Sequence, residues 1–283
     1  MKSLFEIAKS GLRGSKRSMS VTSNNIVNAD TEGYSRQRVE KSPDGMPMDQ
    51  YHVGLGVDVE EVSRLRDEMN DRLLNKKQQN MSYLQKKADV YKKLEASMVT
   101  DYGQDLDSQV SNLFDNFSDL ASNPQDVSVR NNLISETQQL TSKLRETSKN
   151  VAENSELVQN FAGKTLDSIN NILTDINELN GSIKQAEAKG EPDFASLDKR
   201  VAKMNELSEL VNFESKETST GAVEIQIGGR TVLDENKAYN LSAEVDDTNK
   251  KYRLRLDSGH VIKPTGGKLG AEIEMYEEGI PEM

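Results

Sequence analysis

The fold is decided by one stretch in the middle of the chain, residues 124–191, which reads PQDVSVRNNLISETQQLTSKLRETSKNVAENSELVQNFAGKTLDSINNILTDINELNGSIKQAEAKGE. It contains no proline between Pro124 and Pro192. Apolar side chains recur through it at steps of three and four, at Val129, Leu133, Leu140, Leu144, Val151, Val158, Phe161, Ile169, Ile172, Ile176, Leu179, Ile183 and Ala186. This spacing predicts one continuous α-helix with a single apolar face.

Such a helix is far longer than a compact domain needs. At 1.5 Å per residue it would span about 90 Å. The pair Asn123 and Pro124 is typical of a helix start, with the asparagine as cap and the proline in the first turn. Gly163 interrupts the helix interior and predicts a bend or a close contact there. Because a single rod cannot cover its own apolar stripe, partners must lie lengthwise beside it.

Composition limits the classes of protein that fit. Only 34% of the 283 residues are hydrophobic and 29% are charged, which favours thin helical packing over one deep core. The net charge of −11 argues against nucleic acid and against anionic membrane surfaces. The absence of cysteine excludes disulfides and thiolate metal sites. The N-terminus lacks the apolar core of a cleaved signal peptide, and no stretch is apolar enough to span a bilayer.

The first thirty residues predict a second amphipathic helix. Its three-four alternation runs through Phe5, Ala8, Leu12, Ser15, Met19, Thr22, Ile26 and Ala29. Ser3 and Glu6 have the spacing of a capping box, and Gly33 suits a left-handed helix end. Because several seam positions carry small or polar residues, we expect this helix to fold only against other helices.

The remaining chain divides into three further segments. Residues 34–60 predict an irregular connector with a short extended hairpin, and residues 61–215 a rod domain of long helices, the first of them starting with Val62 and Leu65. Its polar middle, residues 76–80, could fray or cross between partners. In residues 216–283 the period changes to two, which predicts an antiparallel β meander over 221–262, with a turn at Gly228 and Gly229, and then a C-terminal tail. The fold class expected is mainly α, an elongated bundle of coiled-coil-like helices with a small C-terminal β meander, preceded by an axial helix at 1–33.

Residue patterns that carry chemistry do not appear in the sequence. The two histidines, His52 and His260, are far apart and have no motif around them. Gly54 and Gly56 lack the third glycine of a dinucleotide loop, and no run has calcium-loop spacing. We therefore expect no enzyme, no cofactor and no metal site.

One polar stretch, residues 21–38 (VTSNNIVNADTEGYSRQR), is more specific. Asn24, Asn25 and Asn28 fall inside the predicted first helix, where asparagine is unfavourable because its amide competes for backbone groups. Two interpretations fit. The stretch is either a polar helix end before a turn, or a ladder of amide contacts between neighbouring subunits.

The same stretch closely resembles the N-terminal signature of bacterial flagellar axial proteins. Its continuation Tyr34-Ser35-Arg36-Gln37 is similar to the hook-associated protein 1 family, the hook–filament junction proteins. The segments at 53–57, 123–124, 267–271 and 279–281 agree with that family, so the resemblance covers most of the chain.

The resemblance implies a structural protein that leaves the cell unfolded through the flagellar type III export apparatus, without a cleaved signal peptide, and forms an adaptor ring in the extracellular flagellum. The partners it implies are further copies of the chain, the hook protein, the second junction protein and flagellin. In the family, residues corresponding to 4–33 form part of an inner coiled-coil tube. On that basis the predicted assembly residues are Phe5, Leu12, Met19, Ile26, Asn24, Asn25, Asn28, Gly33, Tyr34 and Arg36.

The sequence departs from the family pattern at its end. Family members continue past the Gly279-Ile280-Pro281 segment to a C-terminal helix that pairs with the N-terminal one and binds the export chaperone, whereas this sequence stops at Met283. A natural short form, a split gene and a truncation all fit. The resemblance therefore gives the least support to two family properties. These are assembly of this chain alone and binding of the export chaperone.

Two alternative functions stay open at this point. One is a rod or hook component of the same axial class, although the long helix and the Tyr34–Gln37 continuation favour the junction family. The other is a secreted coiled-coil adhesin or binding module with the 221–262 meander at its tip.

Overall fold

A computed structural model describes residues 4–31, 33–43, 56–98, 106–246 and 251–280. Over these residues the chain is mainly α, as predicted from its periodicity. The helices are α1 (Leu4–Val27), α2 (Glu68–Met98), α3 (Leu106–Ser122), α4 (Val127–Ala188), α5 (Phe194–Leu210) and α6 (Gly267–Glu274). The strands are β1 (Gln37–Pro43), β2 (Val57–Arg64), β3 (Glu214–Glu217), β4 (Val223–Ile227), β5 (Arg230–Leu233), β6 (Leu241–Asp246), β7 (Lys251–Leu256) and β8 (Val261–Ile262).

The long helix is confirmed. Helix α4 runs for 62 residues without interruption, a length of about 90 Å. Its cap is Asp126, whose carboxylate accepts from the Ser128 amide at 2.7 Å. The predicted Asn123 cap is wrong, because the Asn123 amide still bonds back to the Asp119 carbonyl at the end of α3 (2.9 Å). The prediction of a close contact at Gly163 is also wrong, since a Cβ added there would meet nothing within 4 Å.

Only the C-terminal half of the α4 stripe is deeply buried. Ile169, Ile176 and Ile183 are almost fully buried, together with Leu166 and Leu173, which the predicted stripe omits. These residues face a core shared with α2, α5, α6 and the strands that follow. In the first half Leu140 is also buried and Val129, Leu133 and Val151 are half-buried, whereas Leu144 of the stripe is exposed. Helix α2, which precedes α4 in sequence, and the elements that follow α4 form this deep core, while α3 also packs on α4.

The predicted C-terminal meander is two antiparallel sheets, β3-β4-β5 and β6-β7-β8. The alternation at Val223, Ile225 and Ile227 is confirmed, with all three buried. Gly228 and Gly229 both have positive φ, as a tight hairpin turn between β4 and β5 requires.

Helix α6 and a π-helical turn at Met275–Gly279 lie in the segment predicted as a C-terminal tail, and they complete the core. The sequence pattern did not predict this helix, because eight residues give too short a window for periodicity to separate a helix from a loop. Helix α6 begins at Gly267, which has a φ of 68°, and a Cβ there would lie 2.5 Å from the Val211 amide nitrogen. The start of α6 therefore packs directly on the backbone at the end of α5.

The described parts of the predicted connector include two antiparallel strands. Strands β1 and β2 pair with a register shift between Glu40 and Lys41. The placement of Val62 and Leu65 in helix α2 is wrong, because β2 runs to Arg64 and α2 begins at Glu68. Residues 44–55 of the predicted connector lie outside the described part of the chain.

The polar middle of α2 does not interrupt the helix. Asn75 and Gln79 are buried, and the Gln79 amide donates to the Phe213 carbonyl just before β3 (3.3 Å). These polar residues attach α2 to the first C-terminal sheet. The sequence pattern had suggested that this part of the helix frays or crosses between partners.

Two asparagines of α4 attach strands to the long helix, each through a pair of hydrogen bonds to the backbone of one residue. The Asn170 amide donates to the Leu241 carbonyl (2.8 Å) while its oxygen accepts from the Leu241 amide (2.9 Å). Asn180 makes the same pair of bonds with Val223 (2.9 and 3.0 Å). Leu241 and Val223 are the first residues of β6 and β4. The asparagine side chains therefore bond the backbone N–H and C=O groups with which these strands begin, groups that would otherwise lack a partner.

Helix α5 depends on a charged cap with a definite pH response. The Asp193 carboxylate accepts from the Ser196 amide at 3.1 Å and from the Ser196 hydroxyl at 2.6 Å, and these bonds lower its pKa below the ordinary value. We expect Asp193→Ala to lower the free energy of unfolding by about 1 kcal/mol at pH 7. Because the folded pKa is depressed, this contribution is present above the pKa of the unfolded carboxyl and is lost as pH falls through the folded pKa.

Urea unfolding at pH 7 and near pH 3 checks this expectation. Asp193→Asn is the matched control, since it keeps the capping oxygen and removes the titrating group. An equal stability loss for Asp193→Ala at both pH values would contradict the assignment.

Candidate assembly surface

The outer face of α1 is an exposed apolar stripe with heptad spacing. Phe5, Leu12, Met19 and Ile26 are 76, 73, 73 and 70% exposed. We call these four residues the α1 stripe. Side chains seven apart lie on one side of a helix, so the four form a continuous apolar line. A line of large apolar side chains left in water marks an interaction surface.

The opposite face of α1 packs on the β1–β2 hairpin. Gly14 and Val21 are the buried residues of this helix, and a Cβ at Gly14 would lie 3.7 Å from the side chains of Val57 and Val59. The Ser10 hydroxyl accepts from the Val57 amide (3.2 Å) and donates to the Ile7 carbonyl (2.8 Å). The expectation that α1 folds only against helices is therefore wrong. The small residues of α1 permit close approach to the sheet. Its large apolar residues stay exposed to solvent.

The three signature asparagines have partners within the chain. Asn25 forms the same amide pair with Gln37, the first residue of β1, as the α4 asparagines form with their strands (2.8 and 2.9 Å). Its oxygen also accepts from the Tyr34 hydroxyl at 2.8 Å. Asn28 donates to the Asn24 side-chain oxygen (2.9 Å), and both are more open to solvent. The structure thus gives Asn25 an internal anchoring role, and lateral contacts by Asn24 and Asn28 stay a prediction.

The turn after α1 is held against α5 by a cluster of charges. Gly33 has a φ of 79° and would bring a Cβ within 3.4 Å of the Ala202 side chain. Asp198 of α5 accepts from the Ser35 amide (3.2 Å) and from the Arg64 guanidinium (2.8 Å). Burial, and then the charge of Asp198, raises the pKa of Tyr34. The turn therefore fixes the direction in which α1 leaves the body.

Sequence reasoning missed several members of this cluster. Asp198, Arg64 and Arg66 belong to it, and the Arg66 guanidinium donates to the buried Ser35 hydroxyl (3.0 Å). Asp198 lies 163 residues from its Ser35 partner, so no local pattern could have indicated it. Arg36, which was predicted as an assembly residue, has an exposed side chain, and its carbonyl accepts from the Leu65 amide (2.8 Å).

The anchoring role of Asn25 leads to a testable contrast with its neighbour. We expect Asn25→Ala to release the end of α1 from β1, because Gln37 loses both partners of its backbone groups, at a cost of about 2 kcal/mol. Asn24→Ala is the matched control, since the Asn24 side chain bonds the Tyr34 hydroxyl (3.3 Å) and the Asn28 side chain (2.9 Å) but not β1. Hydrogen exchange of the α1 amides should accelerate in the first variant and change little in the second. Equal exchange in the two variants would refute the anchor.

No described residue suggests a reaction centre. Within the described ranges no three His, Cys, Asp or Glu side chains are grouped so as to hold a metal ion. Among the same residues, no helix combines the length and apolar character needed to cross a membrane. His260 lies in an exposed turn next to the Ser258 hydroxyl, and His52 is outside the described residues.

Comparison with known proteins agrees with this geometry. The family described as flagella basal body rod protein matches residues 5–34, which cover α1 and the signature turn. An N-terminal helix with an open heptad stripe, joined to an elongated helical body, is thus of the bacterial flagellar axial class. The family described as the flagellar hook-associated protein FlgK helical domain matches residues 91–283, more than half of the chain. The chain therefore belongs to the FlgK family of flagellar hook-associated proteins, structural components of the bacterial flagellum.

Individual relatives give the same result at low identity. Flagellar hook-associated protein 1 of Bacillus subtilis is 25% identical over 257 residues, which cover 87% of this chain and 50% of that protein. The Escherichia coli protein of the same name is 26% identical over 244 residues, 85% of this chain and 43% of its own length. The flagellar hook junction protein FlgK of Burkholderia pseudomallei shares the fold, with a TM-score of 0.61 at 21% identity over 71% of this chain and 38% of that one. The chain thus spans half or less of the length of these relatives.

Proposed function

We propose that the chain is a structural subunit of the hook–filament junction, which polymerises as an adaptor ring between the hook and the flagellin filament. The observation that carries this proposal is the α1 stripe, whose four large apolar side chains are at least 70% exposed. Burying one such side chain contributes about 1.5–3 kcal/mol. Four in a line contribute about 6–12 kcal/mol, which is of the same order as the free-energy cost of ordering two subunits, about 4–15 kcal/mol.

The partners follow from the position of such a ring. Further copies of the chain cover the α1 stripe, the hook protein lies on one side, and the second junction protein and flagellin lie on the other. The chain reaches this place through the flagellar type III export apparatus, without a cleaved signal peptide, and works outside the cell. Its role is mechanical, with no catalysis.

Family membership favours this role over the alternatives. The match at residues 91–283 and the 62-residue helix α4 support a hook-associated protein over a rod or hook component. The axial signature in α1 supports it over a secreted adhesin. The division into axial helix 1–33, connector 34–60, rod domain 61–215 and β region 216–283 stays part of the proposal.

Deletion of the gene in a motile host tests this function. We expect hooks that lack filaments and flagellin monomers shed into the medium, because no surface remains on which the filament can start. Electron microscopy of the hooks and quantification of flagellin in the medium report both effects. Re-expression of the chain from a plasmid is the control. Filaments of normal length in the deletion strain would refute the junction role.

A further inference from the structure

The sequence contains a single Asn-Gly pair, Asn180-Gly181, and it lies in the buried half of α4. Gly181 itself is exposed, and a Cβ added there would meet nothing within 4 Å. Neither packing nor a close approach of another element therefore requires a glycine at this position. A glycine inside a helix is unfavourable relative to alanine, because it has the most backbone freedom to lose. The fold thus does not account for this glycine.

An asparagine followed by glycine is chemically labile. The backbone nitrogen of the glycine attacks the side-chain carbonyl carbon of the asparagine and forms a C–N bond, and the side-chain nitrogen leaves as ammonia with the proton of the glycine N–H. Water then opens the resulting succinimide at either of its carbonyls, which gives aspartate or isoaspartate. Glycine favours the attack because it has no side chain to restrict the backbone or shield the nitrogen. Water is the only other reactant.

The folded chain prevents this reaction at Asn180. Within α4 the Gly181 N–H donates to a backbone carbonyl of the preceding turn, and the attack requires this peptide group to rotate out of the helical conformation. The Asn180 amide group is also fixed, since it donates to the Val223 carbonyl (2.9 Å) and accepts from the Val223 amide (3.0 Å). The Arg200 guanidinium donates to the same side-chain oxygen (3.1 Å). Because the attack would break these bonds in a fully buried site, the reaction is confined to the unfolded chain.

Both products disturb the contact that Asn180 makes. Aspartate has an oxygen in place of the amide nitrogen, so its carboxylate would face the Val223 carbonyl where a hydrogen bond of 2.9 Å now lies. Isoaspartate adds one carbon atom to the main chain of α4 between Ile176 and Ile183, which are both buried in the core, and shifts one against the other. Since β4 begins at Val223, either change weakens the attachment of this strand to α4.

We propose that Asn180-Gly181 is a deamidation site of the unfolded chain, and that its modification removes from assembly those copies that stay unfolded too long. This inference rests on the proposed export of the chain in an unfolded state and adds a limit to the lifetime of that state. A newly synthesised copy that folds promptly protects the pair. A copy that waits unfolded loses the amide that attaches β4 to the long helix.

Incubation of the purified chain at mildly alkaline pH, in concentrated guanidinium chloride and in buffer alone, tests the site. Fragmentation mass spectrometry of the tryptic peptide 165–184 distinguishes Asn180 from Asn171, the internal reference, which precedes the β-branched Ile172. In denaturant we expect Asn180 to deamidate about tenfold faster than Asn171, since a β-branched neighbour hinders the attack. In buffer we expect Asn180 to deamidate at least about tenfold more slowly than in denaturant, because folding opens this core segment only rarely.

Gly181→Ala is the matched variant. It keeps Asn180 with all its partners, it fits the structure because the position is open, and it places a side chain beside the attacking nitrogen. We expect it to slow the deamidation of Asn180 in denaturant by about tenfold. Equal rates at Asn180 and Asn171, equal rates in denaturant and in buffer, or an unchanged rate in the variant would overturn the site.

Refolding of the incubated chain tests the consequence. After removal of the denaturant, size-exclusion chromatography separates the native chain from misfolded material. We expect the deamidated peptide to be depleted about tenfold in the native fraction, because the modified chain lacks a buried hydrogen-bond donor. The incubated Gly181→Ala chain should refold as completely as a fresh sample. Equal refolding of deamidated and unmodified chains would overturn the inference and leave the junction role intact, since gene deletion tests that role separately.

Discussion

Replacement of Leu12 and Ile26 by aspartate is expected to abolish incorporation of the chain into flagella while its fold stays intact. Both side chains are at least 70% exposed in the single copy. Exposed substitutions of this kind usually change the free energy of unfolding by no more than about 0.5 kcal/mol. In an assembly that covers the α1 stripe, the same positions would force two unpaired carboxylates into apolar surroundings, at a cost of several kcal/mol. The double variant should therefore leave the single copy folded and prevent its assembly.

Motility on soft agar and the amount of the chain in purified flagella measure the first effect, and thermal melting followed by circular dichroism measures the second. Ser20→Asp is the matched control, because Ser20 is exposed on α1 beside the stripe. It adds one carboxylate to α1, where the double variant adds two, and should leave incorporation near the unmodified level. Normal incorporation of the double variant would remove the α1 stripe from the proposed interface.

The second large effect is expected inside the core, at Asn180. Its side chain is fully buried and forms three hydrogen bonds, two with the Val223 backbone and one from the Arg200 guanidinium (3.1 Å). Arg200 is itself buried, and that burial lowers its pKa while Glu217 opposes the shift. We expect Asn180→Ala to lower the free energy of unfolding by about 4 kcal/mol, because it leaves a backbone amide, a carbonyl and part of a buried guanidinium without partners.

Urea unfolding measured by circular dichroism checks this value. Asn171→Ala is the matched control, since Asn171 is an exposed asparagine on the same helix, and it should change stability by less than about 0.5 kcal/mol. A loss below about 1 kcal/mol at Asn180 would mean that the β4 start does not depend on this amide.

Periodicity was sufficient to predict α4 and the heptad stripe of α1, because both signals repeat along many residues. It could not predict which half of α4 is buried. That outcome depends on α2, α6 and the two sheets, which lie outside α4 in sequence. Helix α6 could not be predicted for a different reason, since its eight residues are too few to show a period.

Asparagine is the residue type whose role the sequence left ambiguous. Asn25, Asn170 and Asn180 share one function, a bidentate amide bond to the first residue of a strand. The partners of Asn170 and Asn180 are 71 and 43 residues away, so nothing local distinguishes these side chains from solvated ones. Asn25 has its internal partner only 12 residues later, where the first strand starts, and a contact of Asn25 with a neighbouring subunit stays a prediction.

The exposure of Met19 before and after assembly tests the central claim most directly. Met19 is 73% exposed in the single copy, whereas Met275 is fully buried and provides an internal reference. Under mild peroxide treatment followed by mass spectrometry, we expect Met19 of the free chain to oxidise much faster than Met275. In purified flagella we expect Met19 to become about as resistant as Met275, because neighbouring subunits cover the α1 stripe. Equally fast oxidation of Met19 in the free chain and in assembled flagella would contradict the account.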